Sequence, residues 1–225
     1  MAKLPAIVDV LAAADGQRDR VTIHNIARTC RETGLLPPTA RGAGAVDMTL
    51  TATVNLLSAT SMPVPRGDAP AAAARFRDME PFTVCLNQME SPLLMAIARA
   101  TSLGDALELL IKLAPAIDNE FAGVAKVGAL RTGRHVFPEL VVKFMFGAWS
   151  QGAQVFRVAD RDAGGPPELI AAFRRNDNAV LEQRGNVVAA ELDRNRPDRV
   201  LEQSVTFGLP TLLALHRALY KGTKA

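Results

Sequence analysis

Cysteine is scarce in this chain. Only Cys30 and Cys85 occur among 225 residues, far apart in sequence, so neither a disulfide framework nor a cysteine metal site is expected, and a reducing cytoplasm is the compartment that fits. Long apolar runs are missing too. No segment approaches the roughly 20 uninterrupted apolar residues that a membrane-spanning helix needs, so no membrane partner is expected. The opening MAKLPAIVDVLAAADG breaks its short apolar run at Pro5 and Asp9, which disfavours a secretion signal. The net charge is only +3, too small to mark a nucleic-acid binder by bulk electrostatics, and any such argument has to be local.

Catalytic signatures are equally thin. The three histidines, His24, His135 and His216, are scattered, and none stands beside Cys, Asp or Glu at a metal-ligand spacing. Gly164-Gly165-Pro166-Pro167 lacks the lysine and hydroxyl residue of a phosphate loop and reads as a turn. There is no G-x-S-x-G elbow, and Cys30 belongs to an apolar stripe. No catalytic residue, cofactor or metal is therefore expected, and the chain reads as something other than an enzyme.

What is present is ordinary globular material, 48% hydrophobic and 22% charged, with its basic charge carried mainly by arginine, which suits bidentate phosphate and guanine contacts. The length favours two domains. Leu4, Ile7, Val8 and Leu11 recur at helical spacing before Asp15-Gly16, which predicts a first helix over 4–14. A second helix is predicted over 22–34, capped by Thr22 and ended by Gly34, with Ile23, Ile26, Ala27 and Cys30 on one face. A proline- and glycine-rich stretch follows, and then a helix over 50–59 capped by Thr49, with Leu50, Val54 and Leu57 as its buried stripe. Residues 61–81, with several prolines and an alanine run, read as a linker in which 71–79 is a candidate short helix.

The larger part, 82–225, reads as an α+β body. Strands are predicted at 82–86, 139–149, 153–158, 186–192 and 199–207, with a turn at Ser150-Gln151-Gly152. Helices are predicted as a consecutive pair over 91–113, with Ser102 capping the second, as a short piece over 168–175, and at the end of the chain, where Leu209, Leu212, Leu213, His216 and Leu219 share a face. The expected fold class is α+β: a helical N-terminal unit over 1–60, a linker over 61–81, and over 82–225 a mainly antiparallel sheet with flanking helices that serves oligomerisation or sensing.

Function is carried by the second helix. Opposite its apolar stripe lie His24, Asn25, Arg28, Arg31 and Glu32; Arg28 and Arg31 suit guanine or phosphate, Asn25 suits adenine, and Arg18 and Arg20 precede the helix where the DNA backbone would pass. Thr22 at the helix start belongs to the same candidate set.

The sequence that follows, Gly34-Leu35-Leu36-Pro37-Pro38, then Arg41 and Gly44, then a threonine-capped helix, resembles the wing segment of MerR-type regulators over about residues 20–58. The resemblance implies a winged helix-turn-helix in which Arg41 contacts phosphate and Gly42 and Gly44 let the backbone come close, with Thr39 among the candidate DNA-binding residues. The leading expectation is thus a sequence-specific regulator of bacterial or phage type that binds double-stranded DNA as a homo-oligomer, a dimer first of all. Two rivals remain: a structural DNA-binding part of a nucleoprotein assembly, such as a phage small terminase subunit, and a protein-interaction module without DNA binding.

Overall fold

A computed structural model of the chain describes residues 3–15, 18–38, 47–84, 91–132, 138–146, 151–160, 167–174 and 203–220. The first two helices are α1 (Leu4–Asp15) and α2 (Arg20–Glu32). Both bury the stripes that their sequences predict: Leu4, Ile7, Val8 and Leu11 in α1, and Ile23, Ile26, Ala27 and Cys30 in α2. Helix α3 (Leu50–Ser61) starts where Thr49 Oγ1 accepts the Ala52 amide at 3.0 Å. It departs from its predicted single stripe, because every residue from Ala52 to Ser61 is buried. A helix buried on all sides lies at the centre of its layer, and α3 packs against α1, α2, α4 (Ala69–Arg77) and α6 (Leu103–Thr132).

The stretch read as a linker contains α4, and the anticipated short helix is not a bare connector. Ala69, Pro70, Ala72, Ala73 and Phe76 are buried, and Phe76 meets the sheet by packing edge-on to Phe144 at 4.9 Å. Its alanines leave little side chain between α4 and α3, which is why a weakly amphipathic sequence still seats there. The apolar residues of the N-terminal helices and those of the body form one continuous cluster from Leu4 to Leu219.

The predicted consecutive helices are α5 (Pro92–Ala98) and α6, capped by Ser91 and Ser102, with Ser102 Oγ accepting the Asp105 amide at 3.1 Å, but α6 runs on to Thr132, well past its predicted end at 113. The last helix is α7 (Leu209–Tyr220), which packs on α6 and α1.

Among the described residues five strands form one antiparallel sheet: β1 (Glu80–Val84), β2 (Glu139–Phe146), β3 (Gln151–Val158), β4 (Glu168–Arg174) and β5 (Gln203–Gly208), in the order β1-β4-β3-β2-β5. The chain is therefore a mixed helix and antiparallel-sheet protein of the α+β kind. Two further predictions are corrected or moved. The segment predicted as a short helix over 168–175 is β4, paired on one side with β3 and on the other with β1. A short apolar run such as LIAAF fits a buried strand as well as a helix, and the two waiting strand edges decide it. The turn predicted at Ser150-Gln151-Gly152 is displaced, since Gln151 and Gly152 already pair with Phe146 and Met145 in the β2–β3 ladder. The strand predicted over 186–192 lies outside the described residues, as do 147–150 and 199–202.

Two polar connections lock the helices. Arg77 leaves α4 and donates from Nη1 to Asn55 Oδ1 and from Nη2 to Glu108 Oε1, both at 2.8 Å, while Asn55 Nδ2 donates to the Leu35 carbonyl at 2.9 Å. The aliphatic part of Arg77 runs across Gly104, where a Cβ would stand 2.3 Å from Arg77 Cγ. Glycine at 104 is what lets the guanidinium reach Glu108.

The second connection starts from a defect. Pro115 sits inside α6 and has no N–H, so the carbonyl of Ile111, four residues earlier, loses its ladder donor. His216 of α7 takes that place, its Nδ1 standing 3.0 Å from Ile111 O. A carbonyl can only accept, so Nδ1 carries the proton and donates. Replacing His216 by leucine is expected to cost about 1–3 kcal/mol, because a buried carbonyl is left unpaired. The same replacement in a Pro115→Ala background, where an amide returns to the ladder, is expected to cost clearly less. Urea denaturation of the four proteins measures both values, and an equal cost in the two backgrounds would refute the coupling.

Candidate nucleic-acid interface

Helix α2 is held firmly at both ends. It begins two residues earlier than predicted, and its cap is Asp19 rather than Thr22. Asp19 has the extended backbone of a capping residue, φ −72° and ψ 164°, and its Oδ1 accepts the Thr22 amide at 2.7 Å. Thr22 is thus the donor in the cap. Hydrogen bonds from Thr22, hydroxyl first and then amide, hold the Asp19 carboxyl below its ordinary value of 3.8. At the other end Gly34 adopts φ +77°, its amide donates to Arg31 O at 3.0 Å, and the Leu35 amide donates to Cys30 O at 2.8 Å. These two bonds close the helix in the left-handed manner that the sequence predicts. The inward Cys30 thiol is pushed up to about 11 by burial, which fits its reading as a small core residue and not a nucleophile.

The outward face carries Val21, Asn25, Arg28 and Glu32 along its middle, with His24 and Arg31 on one flank and Thr22 on the other. Arg28 and Thr22 are exposed, whereas His24, Asn25 and Arg31 are half-buried. Arg28 Nε lies 2.9 Å from Glu32 Oε1, a one-turn pair with both side chains mostly in water. Pairs of this kind contribute about 0.3–0.5 kcal/mol, so Arg28 is available to a stronger anion.

Two more of the predicted arginines make contacts of their own. Arg20 pairs with Asp9 of α1, Nε to Oδ1 at 2.7 Å. Arg18 turns back onto the end of α3, where Nη2 donates to the Met62 carbonyl at 2.5 Å and Nη1 is buried with no partner among the described residues. Arg18 therefore secures the entry to α2 and does not point along its outer face. Thr39, Arg41, Gly42 and Gly44, the wing residues, lie outside the described residues.

Val21 is the member of the face that sequence reasoning passed over, at 65% exposure. Its signal was available: a β-branched residue two positions before Ile23 falls opposite the buried stripe. Among the described residues no group of His, Cys, Asp and Glu is arranged to hold a metal ion, and no helix is long and apolar enough to cross a membrane. No protein-family model, curated protein or solved structure matches the chain.

The cap carries a pH dependence of definite sign. Because the Asp19 carboxyl is lowered on folding, its contribution to the start of α2 is complete above the ordinary carboxylate value and is lost as pH falls through the folded value. The Thr22 amide proton, followed by NMR from neutral to acid pH, is expected to shift with a midpoint below 3.8. Asp19→Asn, which keeps an acceptor without a titrating group, is expected to abolish that shift. A midpoint at or above the ordinary value would refute the assignment.

Proposed function

We propose that the outward face of α2 reads duplex DNA and that the protein is a sequence-specific DNA-binding regulator that acts as a homodimer. The observation that carries this reading is a helix fixed at both ends whose outward face presents Asn25, Arg28 and Arg31 together. A helix of 13 residues suits the major groove, which admits one helix at a time. In this reading Arg28 leaves Glu32 for guanine or phosphate, Asn25 addresses adenine, and Val21 meets a thymine methyl. Arg20, at the N-terminal end, follows the backbone. The likeness of 20–58 to a MerR-type wing supports a winged helix-turn-helix, with Thr39, Arg41 and Gly42 at the phosphates. Two copies on a palindromic site would use one short helix twice.

Changing Arg28 and Arg31 together to alanine is expected to weaken binding to the preferred site at least about 30-fold, since each bidentate contact is worth roughly 1–3 kcal/mol. Stability should stay within about 0.5 kcal/mol, as both side chains lie off the core. Fluorescence anisotropy against the DNA flanking the protein's own gene, with urea denaturation alongside, measures both. Unchanged affinity would sink the reading.

A second reading has its own support. Val21 exposed beside an Arg28–Glu32 pair makes a face of mixed character that also suits a protein partner. Glu32→Gln separates the two: removal of the competing carboxylate is expected to tighten DNA binding several-fold and steepen its salt dependence. A protein partner that needs Glu32 would instead be weakened, with little salt effect. A role in a nucleoprotein assembly keeps the DNA contact and is recognised by a stoichiometry of many copies per complex.

A further inference from the structure

A pocket of about 240 Å³ opens beside the end of α3. Its walls come from Met62-Pro63-Val64 after α3, from α4, and from Phe146 at the end of β2. That volume corresponds to about eight waters at ~30 Å³ each, somewhat below the ~300–1,000 Å³ of drug-sized ligand sites, so it suits a molecule of roughly ten non-hydrogen atoms. Met62, Ala72, Phe76 and Met79 are buried around it, and Phe76 stacks on Phe146 with ring centroids 5.5 Å apart. Two thioethers and two aromatic rings give an adaptable apolar lining.

Among the described lining residues one is ionisable. Arg75, exposed on α4, has no ion pair or hydrogen bond with any described residue. The end of α3 would oppose a negative guest through its free carbonyls, but Arg18 is bonded to Met62 O there and offsets that dipole. The chemistry asked of an occupant is therefore an apolar body and a single negative charge. Polyanions such as nucleotides would need more donors than the described lining residues offer.

We propose that this pocket binds a small organic monocarboxylate, its aromatic or branched aliphatic body between Phe76, Phe146, Met62 and Met79 and its carboxylate on Arg75. The site stands on the pocket alone and is independent of the DNA reading.

The test is isothermal titration calorimetry of the full chain with phenylacetate, cyclohexanecarboxylate and hexanoate, each beside its neutral amide. At least one carboxylate is expected to bind saturably at one per chain and about tenfold more tightly than its amide, the size of one charge-assisted hydrogen bond. Arg75→Gln, at an exposed position, is expected to erase that preference while leaving amide binding in place. Ala72→Phe is expected to fill the pocket and abolish both. If circular dichroism shows that Ala72→Phe disturbs the fold, Val64→Trp, in the irregular segment after α3, serves in its place with the same expected loss. No saturable binding of any carboxylate, equal affinity for acid and amide, or a preference that survives Arg75→Gln would each overturn the proposal.

Discussion

The architecture depends on burying a helix that is not apolar. From Ala52 to Ser61, α3 has no solvent face, yet it carries Thr53, Asn55, Ser58, Thr60 and Ser61. Hydroxyls solve most of this within the helix: Thr53 donates to Thr49 O, Thr60 to Leu56 O, and Ser61 to Leu57 O. Such bonds satisfy a buried hydroxyl without a partner element. Asn55 is too polar for that solution and needs two outside partners, the Leu35 carbonyl and Arg77. Once Arg77 is committed to Asn55, its other nitrogen fixes Glu108. Four segments, the turn after α2, α3, α4 and α6, are thereby held in one mutual arrangement. Unlike apolar packing, a chain of polar bonds of this kind tolerates no sliding.

That arrangement explains which parts of the fold were legible beforehand. Amphipathic stripes were: Ile23, Ile26, Ala27 and Cys30, or Leu4, Ile7, Val8 and Leu11, face the core because their spacing leaves no other choice. Caps with local chemistry were legible too, as at Thr49, Ser102 and Gly34. The misses are places where distant structure decides. The α3 sequence suggests one buried stripe, and only neighbours on every side reveal that the remaining sides are buried as well. The LIAAF run becomes β4 because β1 and β3 need a strand between them. Pro115 argues against a helix that runs 30 residues, and it is tolerated because a histidine about a hundred positions later supplies the missing donor. Thr22 lost the cap to its neighbour Asp19, a carboxylate that accepts more strongly.

At the candidate site, the face was legible and its electrostatics were not. Sequence spacing placed Asn25, Arg28 and Arg31 together outside the core. It did not say that Arg20 and Arg28 each have a carboxylate within reach, or that Arg18 is spent on the end of α3. Arg18 also links two features that would otherwise look unrelated. Its guanidinium holds the carbonyl of Met62, which lines the pocket beside α4, and its backbone immediately precedes the Asp19 cap of α2.

The placement of α1 has a consequence for how the chain reaches this state. Leu4, Ile7, Val8 and Leu11 are buried in a layer completed by α7, and Leu11, Leu57 and Phe207 line one small cavity between α1, α3 and β5. Contacts between residues some two hundred positions apart are slow to form, because loop closure has to precede the contact that rewards it. During synthesis at the ribosome, therefore, α1 emerges well before α7, and its apolar stripe stays partly uncovered until α7 has been made.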